Sequence, residues 1–235
     1  MTPAPGREDV PSLTSPAGEL PLHEYHLRLG EGEWTVLHTG AVIDFWEEQR
    51  FLSESRDRHP YGVALWASAI ALAHELVSRP AELRGRTVLE LGAGTGLPGI
   101  VAASLGARVV QTDRHELALA VCRRNGERNR ARPGVETIEY RIADWTQWAD
   151  DARYDFILGA DVVYGENMHP HLRRIFESNL APGGRVLLGD PFRSSSLRFL
   201  TALEESGWGV AVSKWSVGGD LEPRPVGVYE LTAPR

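Results

Sequence analysis

Apolar and polar positions change period several times along this chain, and each change marks an element. From Glu24 they alternate: Tyr25, Leu27 and Leu29, then the polar Gly30-Glu31-Gly32-Glu33, then Trp34, Val36 and His38. That pattern predicts a hairpin. From Ala41 to Tyr61, Phe45, Trp46 and Phe51 stand among many charges. Two readings fit this stretch: a helix and loop that lid a site, or an amphipathic packing segment. Val63 to Val77 is apolar on nearly every face, which predicts a buried helix that ends before Pro80. Thr87 to Leu91 and Ala107 to Asp113 read as buried strands, with a helix from Leu97 to Leu105 between them. Leu117 to Asn129 is an amphipathic helix, and Glu136 to Arg141 alternates as a strand. Tyr154 to Ala160 and Arg185 to Asp190 are further strands. Met168, Leu172, Ile175, Phe176 and Leu180 mark a helix by three-and-four spacing, and Ser194 to Glu205 another. Trp208 to Trp215 and Val226 to Leu231 read as a closing pair of strands.

Repeated strand–helix alternation followed by a hairpin predicts an α/β fold, a doubly wound, mostly parallel sheet with an antiparallel last strand. The core is expected over residues 81–235, with an extension of hairpin and helix over residues 21–80. Pro3, Pro5, Pro11 and Pro16 among few large apolar side chains predict a disordered tail over residues 1–20.

Composition narrows the classes of function. A formal net charge of -7 argues against nucleic acid held on a broad basic face. Cys122 is the only cysteine, so neither an internal disulfide nor a cysteine-based zinc cluster is available, and its helical setting predicts a buried small hydrophobe. No apolar run reaches the ~18 residues of a membrane helix, and the N-terminus lacks the basic and apolar regions of a secretory signal. These features point to a cytoplasmic protein without membrane contact, and a monomer is expected. His169-Pro170-His171 and His74 are too isolated to make a metal site.

The chemistry begins after the first buried strand, at Glu90-Leu91-Gly92-Ala93-Gly94-Thr95-Gly96. Glycines let the backbone turn tightly and let a ligand lie against it. Dinucleotide enzymes place a third glycine where Leu97 stands, so the spacing favours a cofactor without a pyrophosphate, S-adenosylmethionine (SAM). Asp113 ends the next strand about twenty residues on, where open α/β sites place a carboxylate on ribose hydroxyls. Asp144 beyond the third strand is placed to accept from an adenine amino group, with Trp145 beside the ring. Asp161-Val162-Val163-Tyr164 follows the fourth strand, and ligands of open sheets sit at such ends. Trp66 is either core or a wall of the cofactor pocket.

Together with Gly62-Val63-Ala64-Leu65-Trp66, these motifs resemble the class I, seven-β-strand SAM methyltransferases. The likeness runs over about residues 24–232 and is strongest to the methyltransferase-16-like group of protein lysine methyltransferases. That group carries a Trp-containing segment before the glycine turn and an Asp-x-x-Tyr after the fourth strand. The resemblance implies a seven-stranded sheet in which Glu90, Gly92, Gly94 and Gly96 line the methionine end of SAM. It implies Asp113 on the ribose, Asp144 and Trp145 on the adenine, and Trp66 against the cofactor. Asp161 and Tyr164 would border the channel for the acceptor nitrogen. The Gly189-Asp190-Pro191-Phe192-Arg193 stretch also resembles the branch acting on the electron-transfer flavoprotein, which has glycine where Phe192 stands. The function expected is SAM-dependent N-methylation of a protein lysine. A small-molecule methyl acceptor and a non-catalytic SAM-binding module are the alternatives. A nicotinamide-dependent reductase is disfavoured by Leu97.

Overall fold

The computed structural model describes residues 12–15, 18–43, 46–48, 50, 61–218 and 223–234. Strands β1 (Ser12–Ser15) and β2 (Gly18–Pro21) pair antiparallel, as do β3 (His23–Leu29) and β4 (Gly32–His38). The two-residue strands β5 (Ala41–Val42) and β6 (Leu65–Trp66) pair parallel. The main sheet follows with β7 (Thr87–Leu91), β8 (Arg108–Asp113), β9 (Glu139–Ile142), β10 (Tyr154–Ala160), β11 (Leu180–Asp190), β12 (Gly209–Val217) and β13 (Arg224–Thr232). Its order is β12-β13-β11-β10-β7-β8-β9, and only β13 runs against its neighbours. The expected doubly wound sheet with an antiparallel last strand is present.

Alternate residues of each central strand feed two apolar cores. Val88, Phe156, Leu158 and Leu187 join the Ala67–Val77 and Leu97–Ser104 helices on one face. Leu89, Leu91, Ile157 and Val186 join the His169–Asn179 and Ser194–Glu205 helices on the other. Both faces are covered, which explains why β7 and β10 read as nearly unbroken apolar runs. The chain lays down β7, β8 and β9 in one direction, then returns to β10 on the other side of β7. That reversal opens a crevice at the carboxyl ends of β7 and β10.

Three expectations need correction. Ser12–Ser15 and Gly18–Leu20, expected to lie in a disordered tail over residues 1–20, are instead in paired strands, with Leu13 and Leu20 buried against Val63, Ala118 and Val121. The helix expected from Val63 starts only at Ala67, since Leu65 and Trp66 are extended and bridge to Ala41 and Val42. The strand expected from Glu136 starts at Glu139, after a 3-10 turn over Val135–Thr137. Residues 1–11, and Phe45 and Phe51 of the lid reading, lie outside the described residues.

The Glu116–Arg128 helix fastens the second hairpin to the core. Asn125 accepts from the Leu37 amide at 2.6 Å and donates to the Leu37 and Thr95 carbonyls at 3.0 and 2.8 Å. One turn on, Asn129 accepts from the Thr35 amide and donates to its carbonyl. Asparagines four apart on a helix thus serve alternate residues of β4 as a neighbouring strand would.

Candidate active site

The glycine turn leaves β7 and enters the Leu97–Ser104 helix at the crevice. Gly94 has φ +56, and a Cβ there would stand 2.9 Å from the Gly62 carbonyl oxygen. A Cβ on Gly92 would lie 3.0 Å from Val162 and 3.3 Å from the Trp145 ring. The turn is therefore walled by three separate segments, and at Gly94 the Gly62 carbonyl leaves no room for a side chain. The segment from Gly62 onward crosses from this turn to β11, where the Ser68 carbonyl lies against Gly189. Half-buried Trp66 stands on that crossing, in β6 opposite Val42.

Glu90 supports the turn from beneath. Its Oε2 accepts from the Gly99 amide at 3.1 Å and from Gln111 Nε2 at 2.6 Å, and that Nε2 also donates to the Gly96 carbonyl at 2.7 Å. Only 2% of Glu90 is exposed, and burial pushes its carboxyl up to about 8. The Cys122 thiol lies under the same turn and donates to the Gly94 carbonyl. It is fully buried, and burial holds its pKa well above the usual thiol value, which makes it the packed hydrophobe expected rather than a nucleophile.

Asp113 ends β8 beside the turn. Its Oδ2 accepts from the Gly94 amide at 3.2 Å and its Oδ1 from the His115 amide at 3.0 Å. Burial raises its pKa, against the pull of these backbone donors. A buried carboxylate held mainly by single amides retains lone pairs that favour hydroxyl donors. Asp144 is exposed and caps the short turn Trp145–Gln147, its Oδ1 accepting from the Thr146 amide and hydroxyl at 2.9 and 2.8 Å. These two bonds hold its pKa down, and its Oδ2 has no protein partner among the described residues. Trp145 is half-buried, its ring against Gly92.

Asp161 follows β10 with φ +55, in the left-handed region, and its amide donates to the Gly189 carbonyl at 2.8 Å. Both its oxygens are taken by Arg193, Nε to Oδ1 at 2.9 Å and Nη2 to Oδ2 at 3.0 Å. Arg193 also meets Glu48 at 2.7 Å, and Arg224 donates to the other Glu48 oxygen at 2.5 Å. Burial opposes the Arg193 charge, but its bonds to Asp161 and Glu48 outweigh this and raise its pKa further. Val163 O accepts from Ser196 Oγ at 3.4 Å and lies 3.1 Å from His169 Nε2, which pins the loop that carries Tyr164. Tyr164 is 66% exposed and Trp46 is 68% exposed.

The structure thus gathers Gly92, Gly94, Gly96, Glu90, Asp113 and Trp145 around one turn, with Asp161 following the adjacent strand. Tyr164 stands outward from them. The sequence pattern did not single out Gln111 or Glu48, and it gave Arg193 no role of its own, naming it only within the Gly189–Arg193 stretch.

A sequence model for a family described as lysine methyltransferase matches residues 47–206. The protein N-lysine methyltransferase METTL21A of Danio rerio is 39% identical over 157 residues, 64% of this chain and 72% of that protein. The protein of the same name from Xenopus tropicalis is 41% identical over 141 residues, 59% of this chain and 65% of that protein. The match to the Xenopus protein therefore spans just under two thirds of that relative's length. Among solved structures, the magnesium protoporphyrin IX methyltransferase of Synechocystis with bound SAM has a TM-score of 0.57 at 15% identity, covering 81% of this chain and 85% of that one. At that identity the likeness is one of fold.

Proposed function

The chain belongs to the lysine methyltransferase family, and from that premise we propose that it transfers a methyl group from SAM to the side-chain nitrogen of a lysine in a protein. The observation that carries the reading is the turn at Gly92 and Gly94, walled by Gly62, Val162 and Trp145 with the Asp113 carboxylate beside it. Those features fit SAM: bare backbone for the methionine end, a buried carboxylate for the ribose hydroxyls, and Trp145 with Asp144 for the adenine. Glu90 holds the turn in shape, and Trp66 bounds the site from the Gly62 crossing.

When bound, SAM supplies a methyl on a sulfonium, which passes in line to an amine lone pair while a neutral thioether leaves. The leaving side needs no acid, so the chain's work is positioning. Asp161, with both oxygens on Arg193, acts as an anchor of the acceptor's entry rather than as a base. Tyr164 stands at that entry, where its ring face attracts the ammonium carried by the incoming chain. The exposed Trp46 and Tyr164 suit a protein surface better than an enclosed metabolite. The net charge of -7 suits a partner with basic residues around its lysine. The single buried cysteine and the charge balance support a monomer working in a reducing cytoplasm.

The test is incubation of the purified protein with methyl-labelled SAM and a total soluble cell extract, followed by acid hydrolysis. Label in methyllysine is the expected result. Label only in small molecules, or none with the protein folded, would defeat the reading.

A further inference from the structure

We infer that Arg193 is a positioning residue that sets the charge met by the acceptor amine. By cancelling Asp161 it lets the incoming ammonium lose its proton at the site. The inference rests on the reading of the chain as a lysine methyltransferase.

A lysine reacts only as the neutral amine, and its ordinary pKa is about 10.4. A bare carboxylate at the entry would bind the ammonium and hold the proton on, working against the reaction. Asp161 lies in that place, since it follows β10 and the next residue, Val162, packs against Gly92. Its side chain is only 8% exposed, and Arg193 engages both oxygens. A planar guanidinium matches a carboxylate in this bidentate manner, and the same Nη2 lies 2.7 Å from Glu48 Oε1 as an ion pair.

The surrounding charges are arranged in pairs. Glu48 meets Arg193 and Arg224, and its side chain is 6% exposed. Asp161, Glu48, Arg193 and Arg224 together carry no net charge. From the end of β11, Asp190 accepts from the Arg193 amide at 2.7 Å and from Ser196 Oγ at 2.5 Å, and burial raises its pKa. Tyr229 faces the same group from β13, and burial pushes its hydroxyl up to about 12. His169 faces the loop from the His169–Asn179 helix and lies against the Val163 carbonyl. Among the described residues, Arg193 is the one side chain that joins the Asp161 carboxylate to the rest of this array. The amine proton is released to solvent at the exposed Tyr164 side, and no residue needs to be a strong base.

The arrangement is tested in a Lys214→Arg background, which removes the only lysine of the chain as a target. Methyllysine formation in a total soluble cell extract is followed at saturating labelled SAM from about pH 6 to about pH 10. Arg193→Met exposes Asp161 and is expected to move the acidic limb of the rate profile up by about one pH unit. Asp161→Asn leaves the Arg193 charge in excess and is expected to move it down by a similar amount. The double variant is expected to return the limb to the wild-type position, with SAM affinity in all three within about threefold. Limbs that stay in place, or that move the same way in both single variants, would overturn the inference. Should Arg193→Met fail to fold, Asp161→Asn decides alone, and an unmoved or raised limb is the contrary result. Absence of methyllysine from the wild type would overturn the functional reading and the inference with it. A working wild type with unmoved variants would overturn the inference only.

Discussion

Asp113 and Glu90 are both buried carboxyls beside one turn, yet they do different work. Asp113 has lone pairs to offer a ligand, so we predict that Asp113→Ala weakens SAM binding by about 10- to 100-fold, the loss of charge-assisted hydrogen bonds. Calorimetric titration measures it, and an unchanged affinity would remove Asp113 from the site. Glu90 faces only the protein, through Gly99 and Gln111. Burial raises its pKa from the ordinary 4.5 to about 8, so the folded state holds the proton more tightly than the unfolded chain does. Its contribution to stability is therefore complete below about pH 4.5 and is lost as pH climbs to about 8. The neutral Glu90→Gln keeps an acceptor for Gly99 without that loss. Its melting temperature is predicted to gain on the wild type across this window, by several degrees at the alkaline end. Melting curves that stay parallel from acid to alkali would show that Glu90 is not buried as described. The spacing of glycines and acids marked both residues, but it did not separate ligand from support. That distinction depends on which way each side chain leaves its strand.

Two connections between elements carry most of what the pattern could not show. The first is the asparagine pair that docks β4 on the Glu116–Arg128 helix. Removing the Asn125 amide strands the Leu37 N–H and two carbonyls in a buried place. We predict that Asn125→Ala costs about 3 kcal/mol and lowers the melting temperature by about 6–12 °C. A change under about 1 kcal/mol would mean that water replaces these bonds. On a helical pattern Asn125 and Asn129 are two polar residues on a solvated face, and only the strand laid beside them gives them partners. The second is the turn from β11 into the Ser194–Glu205 helix. Phe192 there has φ +61, a conformation natural to glycine, and its ring packs on Tyr229 with centroids 6.1 Å apart. Phe192→Ala keeps the backbone strain and loses the packing, whereas Phe192→Gly loses the packing but removes the strain. Phe192→Ala is predicted to be less stable than Phe192→Gly by about 1 kcal/mol, read from urea unfolding. The reverse order would show that the turn carries no strain.

At the scale of the whole molecule, the order of strands places the chemistry. The buried runs at Thr87–Leu91, Arg108–Asp113 and Tyr154–Ala160 were legible because a sheet covered on both faces leaves long apolar stretches. The first hairpin was not legible: its proline-rich surroundings hide the fact that Leu13 and Leu20 each find a buried place. Nor was the balance of Asp161, Arg193, Glu48 and Arg224, whose members are far apart in sequence and meet only after the sheet forms. What the strand order predicts above all is a glycine turn at the switch point shaped for SAM. Calorimetric titration of the purified chain with SAM, using NADH as the control, tests this most directly. Binding of SAM at about micromolar affinity with no heat from NADH is the predicted result. A folded protein that binds NADH, or that takes up no SAM, would contradict it.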